Sequence, residues 1–360
     1  MALIEKLKVG IAGFGVVGKR RRQCIEQHPR LEVVGLADRA FGENHTAKDG
    51  VRNYVDFHQL IEKEKLDVLF VCLTNDVAAE ATSLGLQSGA HVFCEKPPSR
   101  NLEELAQVGE ISKRHPRLKL KYGFNHRYHD SVRDAMAIIE KGSLGKLINL
   151  RGVYGKSQMI TFGAGDWRTK RAIAGGGILM DQGIHMVDMM RLFGGEFTEI
   201  HSCVSNSFWQ HDVEDNAYAL MRTQSGIVAM LHSSATLWRH RFQLEMALSR
   251  GSIELSGILS GSKSYGEETI TIAYVGKNDQ GVPREQTTRY NQDNSWSDEV
   301  NEFADAILFD RPIVHGTFAE AQKTLELVTQ IYKADPRWRE ATGRAVPFAW
   351  SVDETAPLDA

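Results

Sequence analysis

Short apolar runs alternate with longer segments of mixed polarity over the first 125 residues. Strands are predicted for LKVGIAG (7–13), LEVVGLAD (31–38), DVLFVCL (67–73), HVFCEK (91–96) and LKLKYGF (118–124). Helices are predicted from the end of the first run to about residue 28, at 78–89 and at 101–115. Nearly continuous apolar strands that alternate with helices indicate a parallel sheet covered on both faces. Residues 1–125 are therefore predicted to form a doubly wound α/β domain.

The pattern changes after residue 125, where apolar and polar positions begin to follow a β-type rhythm. A helix at 130–141 is predicted first, and two more at 297–309 and 317–334. Between them, β-type runs are found at 146–157, 196–209, 216–223, 226–238, 241–257 and 268–276. Runs separated by short turns predict a large, open-faced and mostly antiparallel sheet. We expect an α+β domain over residues 126–345 and a surface tail at 346–360.

Length and composition favour an ordinary globular protein. At 360 residues the chain exceeds one hydrophobic core, and 42% of its residues are hydrophobic and 25% charged. A net charge of -3 gives no electrostatic reason to expect a nucleic-acid or membrane partner. No apolar stretch approaches the roughly 20 residues of a membrane span, and the N-terminus lacks a signal-peptide pattern. One face of the open sheet needs covering, which predicts a homo-oligomer, a dimer or tetramer.

Four cysteines are scattered along the chain without paired spacing. Cys24, Cys72, Cys94 and Cys203 form no C-x-x-C motif, which argues against a zinc site. Reduced thiols of this kind are typical of a cytoplasmic protein. We expect no metal.

A glycine pattern lies at the first strand-to-helix turn. Gly13, Gly15 and Gly18 form G-x-G-x-x-G directly after a predicted strand. In such a turn the first glycine permits the tight bend, the second lets a pyrophosphate approach the backbone, and the third lets helix and strand pack closely. The context predicts dinucleotide binding at the helix N-terminus. The alternative is a structural turn that binds no ligand.

Asp38 ends the second predicted strand, twenty residues after Gly18. A carboxylate at this point can accept hydrogen bonds from a ribose diol and would repel a 2′-phosphate. NAD is therefore favoured over NADP. The neighbouring Arg39 leaves NADP open, because a guanidinium can hold that phosphate.

Ligands of parallel sheets bind at the carboxyl ends of the strands, so the residues that follow each strand matter. Three such segments are Thr74–Asn75, Glu95–Lys96–Pro97 and Asn125–His126–Arg127–Tyr128. A lysine held beside a nicotinamide could donate to a substrate oxygen. The alternative is that Lys96 is a solvated loop charge, as a lysine in a loop usually is.

The segment GGGILMDQGIHMVD (175–188) sets polar residues in an apolar helical run. Asp181, His185 and Asp188 are spaced at i, i+4 and i+7, which puts them in one narrow stripe. We interpret this as a buried helix with one stripe facing a polar cavity. The alternative is a buried Asp–His pair that only satisfies itself.

Together these motifs resemble the glucose–fructose oxidoreductase / inositol dehydrogenase / MocA (Gfo/Idh/MocA) family. The resemblance rests on the glycine turn, Glu95–Lys96–Pro97, GFNHRYH (123–129) and GGGILMDQGIH (175–185), in this order. It implies an N-terminal Rossmann domain, a second α+β domain with an open antiparallel sheet, and NAD(P)-dependent hydride transfer at a carbon of a sugar, cyclitol or nucleotide sugar.

The resemblance also assigns site residues. It implies catalytic roles for Lys96, Asp181 and His185, and substrate contacts for these and for Arg127, Trp167 and Arg168. The predicted cofactor-binding residues are Gly13, Phe14, Gly15, Val16, Val17, Gly18, Asp38, Arg39, Thr74, Asn75, Glu95, Lys96 and Asn125.

The chemistry suggested by these residues is oxidation of a secondary alcohol. His185 would face the reacting hydroxyl, and Asp181 would orient the His185 ring. Lys96 would stabilise the developing alkoxide. The sequence leaves open whether Lys96 or His185 takes the proton. The glycines at 175–177 would let the chain pass close to substrate and cofactor.

Further side chains have two interpretations each. Arg168, Arg171, Arg239, His240 and Arg241 could bind a phosphate or carboxylate of the substrate, or be ordinary surface residues. Tyr154 and Trp238 could stack on a sugar ring or pack on the sheet.

Two other functions fit the same fold. One is reduction of a non-sugar carbonyl or imine, with dihydrodiol or biliverdin-type chemistry, which needs a more apolar pocket. The other is a regulator that binds NAD without turnover.

Overall fold

The computed structural model describes residues 6–156, 166–260, 264–276 and 281–341. Within these ranges no helix has both the length and the apolar character that a bilayer span requires. The same ranges contain no cluster of three or more His, Cys, Asp or Glu side chains arranged to hold a metal ion. The predicted tail, 346–360, lies outside the described residues.

Seven strands form the first sheet, and all neighbouring pairs but one run parallel. The strands are β1 (Leu7–Ala12), β2 (Leu31–Ala37), β3 (His45–Thr46), β4 (Arg52–Tyr54), β5 (Val68–Val71), β6 (His91–Glu95) and β7 (Leu120–Gly123). Their order is β3-β4-β2-β1-β5-β6-β7, with β3 and β4 antiparallel. The helices of this half are α1 (Val16–Gln27), α2 (Phe57–Lys63), α3 (Asn75–Gln87) and α4 (Leu102–Arg114).

The central strands bury both of their faces, which confirms the predicted doubly wound sheet. Along β5, Val68 and Phe70 join one core cluster while Leu69 and Val71 join another. Because successive side chains point to opposite faces, a strand between two helical layers must be apolar at every position. β3, β4 and α2 were not predicted, since such short elements carry too few positions for a periodic pattern.

The described part of the chain forms a second sheet of eight strands, in which all neighbouring pairs but one run antiparallel. The strands are β8 (Leu147–Gly155), β9 (Phe197–Ser205), β10 (Asn216–Thr223), β11 (Val228–Ser234), β12 (Arg241–Leu248), β13 (Gly251–Ser256), β14 (Glu268–Tyr274) and β15 (Arg284–Tyr290). The order is β15-β14-β13-β12-β8-β11-β10-β9, and among the described strands only β8 and β11 pair in parallel. This confirms the predicted mostly antiparallel sheet. β15 was missed because its sequence, REQTTRY, is polar on both faces and exposed at the sheet edge.

Helices cover one face of this sheet and leave the other open. The helices of this half are α5 (Asp130–Glu140), α6 (Arg171–Ala174), α7 (Ile184–Gly194), α8 (Ser295–Leu308), α9 (Phe318–Ala334) and α10 (Pro336–Ala341). α5, α7 and α9 pack on the sheet. On β10 buried and exposed residues alternate, so that Tyr218 and Leu220 point away from these helices.

The position of α8 crosses the predicted division of the chain at residue 125. Its Val300 and Phe303 belong to the core of the first domain, and the Phe303 ring lies edge-on to those of Phe70 and Phe93, at 6.0 and 5.6 Å. An amphipathic pattern predicts a helix but not the sheet that it covers. A segment assigned by sequence to the second domain thus completes the first one.

Candidate active site

The glycine turn after β1 has the three features that the sequence predicted. Gly13 adopts φ +90°, and a Cβ there would lie 2.2 Å from the Cys72 carbonyl oxygen. A Cβ at Gly18 would lie 2.0 Å from the Gly13 oxygen, so the helix packs directly on the turn. At Gly15 a Cβ would meet no atom within 4 Å. This open space beside the N-terminus of α1 is where a pyrophosphate can approach the backbone.

Asp38 closes the turn from the end of β2. Its Oδ2 accepts the Phe14 backbone N–H at 2.7 Å, and its Oδ1 accepts that of Ala40 at 2.8 Å. Asp38 and Arg39 both line the cleft beside Val16 and Val17. Phe14 and Gly18 were also predicted to bind cofactor, but they do not line the cleft. They belong to the turn itself, through the Phe14 N–H bond to Asp38 and the close packing of Gly18 on Gly13.

The carboxyl ends of β5, β6 and β7 contribute the other predicted cofactor residues, and all of them line the cleft. These are Thr74, Asn75, Glu95, Lys96 and Asn125. Asn75 Nδ2 donates to the Ala174 carbonyl oxygen at 2.8 Å and so joins the two halves of the chain. Strand order changes direction between β1 and β5, where ligands of open parallel sheets bind.

Lys96 extends from the end of β6 into the cleft, and its side chain is 19% exposed. Its Nζ donates to the Asp181 backbone oxygen and lies 3.8 Å from Asp181 Oδ1. Burial lowers the pKa of Lys96, and the Lys156 charge acts in the same direction, while Asp181 opposes both. Lys96 is therefore not the solvated loop charge of the alternative interpretation.

Three cations surround the Asp181 carboxylate. Lys156 Nζ lies 2.9 Å from Oδ2, and Arg168 Nε lies 3.6 Å from Oδ1, the oxygen that Lys96 also approaches. Burial would raise the pKa of Asp181, but these cations outweigh burial and hold the pKa well below its usual value. Lys156 was not predicted. It follows the end of β8, but the predicted β-type run extended to residue 157 and so placed Lys156 inside the strand.

Asp181 and His185 do not form the predicted pair. Residues Leu179–Gly183 form a π-helical turn, in which the wider backbone spacing changes the direction of Asp181 relative to α7. No hydrogen bond joins the two side chains: Nδ1 of His185 is buried without a partner among the described residues. The expectation that Asp181 orients His185 is therefore wrong.

His185 stacks on another imidazole instead. Its ring lies 3.8 Å from that of His126, with 15° between the planes. Burial lowers the pKa of His185 well below its usual value, and Lys96 and His129 add to the shift. Both His185 and His126 line the cleft. The sequence named His126 only as part of the segment that follows a strand and gave it no role, since a single histidine there carries no pattern of its own.

The glycine run at 175–177 does not serve the purpose that the sequence suggested. None of the three glycines lines the cleft. A Cβ at Gly177 would lie 2.0 Å from the Glu214 carbonyl oxygen. The buried Glu214 carboxylate accepts the backbone N–H groups of Gly177 and Leu179, at 2.7 and 3.0 Å. The close approach is thus to the protein itself, and Glu214 holds the start of the helical segment.

Arg127 was predicted to contact substrate, and the structure places it elsewhere. It is 2% exposed and absent from the cleft wall. Its Nε and Nη2 form a two-pronged ion pair with Asp188, at 2.7 Å each, and its Nη1 contacts Glu320. Asp188, the third residue of the predicted stripe, therefore pairs with Arg127 and does not face the cleft. The pair ties the loop after β7 to α7 and α9.

Of the five cationic candidates for binding a substrate anion, only Arg168 lines the cleft, beside Trp167. Arg171 bonds to Asp212, and Arg241 lies on the open face of the second sheet. Arg239 and His240 also lie off the cleft wall, as does Trp238, whereas Tyr154 lines it. Within the described part of the chain, these five candidates therefore do not gather in the cleft.

The cleft is continuous from the glycine turn to the imidazole stack and has a volume of about 1080 Å³. That is enough for a dinucleotide together with a small substrate. Cleft-lining residues that the sequence did not single out include Arg20, His129, Lys156, Gln182, Tyr265 and Trp296. They come from helices, helical turns and loops of both halves, which only the packing of the two halves brings together.

Comparison with protein families gives two matches. Residues 7–124 match the model described as an oxidoreductase family with an NAD-binding Rossmann fold. Residues 132–254 match the model of the GFO/IDH/MocA C-terminal domain. Together the matches cover more than half of the chain.

Characterised relatives are similar at low identity. Levoglucosan dehydrogenase from Pseudarthrobacter phenanthrenivorans is 28% identical over 56% of this chain and 55% of its own length. Inositol 2-dehydrogenase from Salmonella typhimurium is 25% identical over 51% of this chain and 53% of its own. The matched segment thus spans about half the length of these relatives. A levoglucosan dehydrogenase structure with NADH and levoglucosan has a TM-score of 0.78, at 20% identity, over 92% of this chain and 97% of that one.

Proposed function

Since the chain belongs to the Gfo/Idh/MocA family of oxidoreductases and has its NAD-binding Rossmann domain, we propose that it is an NAD(P)-dependent dehydrogenase. It transfers a hydride between the nicotinamide and a secondary alcohol or ketone carbon of a sugar, cyclitol or nucleotide sugar. Relatives named levoglucosan dehydrogenase and inositol 2-dehydrogenase support this substrate class.

One observation carries this function: Lys96 and His185 reach the same cleft from opposite halves of the molecule. The cleft begins at Gly15 and Asp38, where the dinucleotide would be held. Bound NAD supplies the hydride acceptor, and the chain's own residues hold the substrate and take the hydroxyl proton.

Lys96 is the side chain best suited to take that proton. Its pKa is lowered by burial, and a general base works best when its pKa lies near the working pH. The pKa of His185 is so low that the imidazole stays neutral and holds a proton poorly. His185 then serves as a neutral hydrogen-bonding partner for the substrate oxygen.

Polar groups dominate the substrate end of the cleft, which favours a polyol over an apolar carbonyl or imine substrate. Asp181, Lys156, Gln182 and Tyr265 all line it. The test is a panel of sugars, cyclitols, nucleotide sugars and apolar carbonyl compounds, followed by the absorbance of the reduced nicotinamide. Turnover confined to the apolar compounds would favour the reductase. Tight NADH binding without any turnover would favour the regulator.

The cofactor preference is tested at Asp38, whose charge would repel a 2′-phosphate. Asp38→Asn keeps the shape of the side chain and removes the charge. We expect the ratio of the KM values for NADP and NAD to fall by about 10- to 100-fold, since like-charge repulsion near a protein surface is worth about 1–3 kcal/mol. Steady-state kinetics with each cofactor measures this ratio.

Glu80→Gln provides the matched control. Glu80 lines the same end of the cleft, is exposed and pairs with His58. This variant should leave the ratio nearly unchanged. Equal changes in both variants would mean that general charge, not Asp38, sets the preference.

The open face of the second sheet is the proposed contact between copies of the chain. Tyr218, Leu220 and Met230 are each about half exposed there, at 47%, 50% and 47%. They surround a depression of about 570 Å³ lined by β8 to β12. Exposed apolar side chains clustered on a sheet are typical of a protein interface. A second copy of the same face would cover them.

Leu220→Glu tests this contact. A carboxylate in an apolar interface is costly, so we expect the assembly to dissociate to monomers in size-exclusion chromatography with light scattering. The control is Phe309→Glu, at the end of α8, where the phenylalanine is 57% exposed. If Leu220→Glu elutes like the unchanged protein, the contact lies elsewhere.

The cysteines favour a reducing compartment. Cys24, Cys72, Cys94 and Cys203 are all free thiols. Burial raises the pKa of Cys72 and Cys94, which keeps them protonated. A cytoplasmic location fits this state.

A further inference from the structure

His185 lacks the partner that usually fixes a functional histidine. The residue is only 6% exposed, and its Nδ1 is buried without a hydrogen-bond partner among the described residues. The neighbouring Asp181 carboxylate is held by Lys156, Lys96 and Arg168. In the described ranges, no carboxylate or carbonyl therefore bonds to Nδ1 to set the direction of the His185 ring, and packing has to do so.

Three rings pack around His185, of which that of Tyr154 is the most distant, tilted at 6.5 Å and 51°. His126 lies parallel to it at 3.8 Å with 15° between the planes. Phe124 meets it edge-on at 6.3 Å and 85°. The face of the His126 ring and the edge-on contact with Phe124 together prevent the His185 imidazole from rotating about its Cβ–Cγ bond.

His126 is itself held at both nitrogens. Asn125 Nδ2 donates to Ser295 Oγ at 3.1 Å, so the Asn125 carbonyl oxygen faces His126 Nδ1, 3.2 Å away. An amide oxygen only accepts, and Nδ1 must therefore carry the proton. Nε2 is left as the acceptor and receives the Tyr154 hydroxyl at 3.0 Å. The network selects one neutral tautomer.

The stack also needs both rings to be uncharged. Burial lowers the pKa of His126 well below its usual value, and His185, His129 and Lys96 add to this. The facing groups are Lys96, which is paired with Asp181, and His129, which bonds to Glu268 at 2.7 Å. A proton on either stacked ring would place a buried charge against its neighbour.

We propose that His126 is a positioning residue: its flat, neutral ring, whose tautomer Asn125 and Tyr154 select, stacks on His185 and holds it in the one orientation in which it can bond to the substrate oxygen. This role rests on the proposed dehydrogenase function. It replaces the role that the sequence assigned to Asp181.

A pair of variants separates the flat ring from its hydrogen bonds. His126→Phe and His126→Leu both lose the bonds to Asn125 and Tyr154, and only the phenylalanine keeps a flat ring against His185. We expect kcat to fall by about 10- to 100-fold in His126→Leu, since a small misplacement of a reacting group costs this much. His126→Phe should keep most of the activity, and the KM for NAD should change little in either. Equal kcat values in the two variants would overturn the proposal.

A second measurement does not depend on turnover. In ¹⁵N spectra of histidine-labelled protein, His126 should be neutral and protonated at Nδ1 at pH 7. His185 should give one tautomer in the unchanged protein and in His126→Phe, and averaged signals in His126→Leu. A His126 protonated at Nε2, or a charged His126, contradicts the proposal. If no substrate turns over but these spectra hold, the dehydrogenase function fails and the ring positioning stands.

Discussion

Replacing Lys96 with methionine should lower turnover by about 10²- to 10⁴-fold, the usual contribution of a positioned acid–base group. Methionine keeps the length and apolar stem of lysine and removes only the ammonium group. Asp181 retains Lys156 and Arg168 as partners, so the site should stay folded. The dissociation constant for NADH, measured by fluorescence titration, should change by less than about threefold.

The same role for Lys96 predicts the direction in which activity changes with pH. Burial lowers the pKa of Lys96, and oxidation needs the neutral amine, so activity should rise with pH as the ammonium loses its proton. Lys96→Met should lack that rise. The control is Lys170→Met, an exposed lysine that does not line the cleft. Unchanged kcat in Lys96→Met would remove the ammonium group from the mechanism.

Arg21→Met should strongly destabilise the first domain. Arg21 is fully buried, with its Nε 2.6 Å from Glu95 and its Nη2 2.6 Å from Glu299. Its guanidinium also stacks on Trp296 at 4.3 Å. Methionine would leave two carboxyl groups without their shared cation. Breaking a buried pair in this way costs about 3–5 kcal/mol, which urea unfolding measures.

This loss should grow with pH. Burial raises the pKa of Glu299 to about 7 even though Arg21 lowers it. Without Arg21 the folded-state pKa rises further, while the unfolded value stays near 4.5. Between about pH 4.5 and 7 the folded state of both proteins retains a proton that the unfolded state releases, so both lose stability in parallel and the difference between them stays constant. Above about pH 7 the folded unchanged protein also releases this proton while folded Arg21→Met retains it, so the loss caused by the substitution grows.

Arg22→Met is the matched control, one residue along α1. Arg22 pairs with Glu26 and Asp49, whose side chains are about half exposed. Exposed pairs contribute about 0–1 kcal/mol. If Arg22→Met were as destabilising as Arg21→Met, burial of the pair would not explain the effect.

Much of the fold followed from local patterns. The run DVLFVCL predicted β5 because a strand buried on both faces must be apolar throughout, and NAYALMRT gave β10 at its true bounds. The G-x-G-x-x-G turn was also predictable, since each glycine answers a backbone constraint within a few residues. Polar or very short elements such as β15 and β3 carry no such pattern.

The site was predictable in its residues but not in its contacts. Lys96, Asp181 and His185 do line one cleft, as the motifs indicated. A regular helix was assumed between Asp181 and His185, and the π-helical turn redirected the first of them. Arg127 was predicted to contact substrate. Its guanidinium instead forms an ion pair with Asp188, which lies 61 residues away along the chain.

The sequence by itself determined the fold class, the dinucleotide turn and the side chains available for chemistry, because these depend on short-range periodicity and backbone constraints. Only the tertiary structure decided which groups pair: Lys96 with Asp181, 85 residues apart, and Arg21 with Glu299, 278 apart. Such partners are set by how layers pack, and burial then sets their charge. A linear pattern records neither.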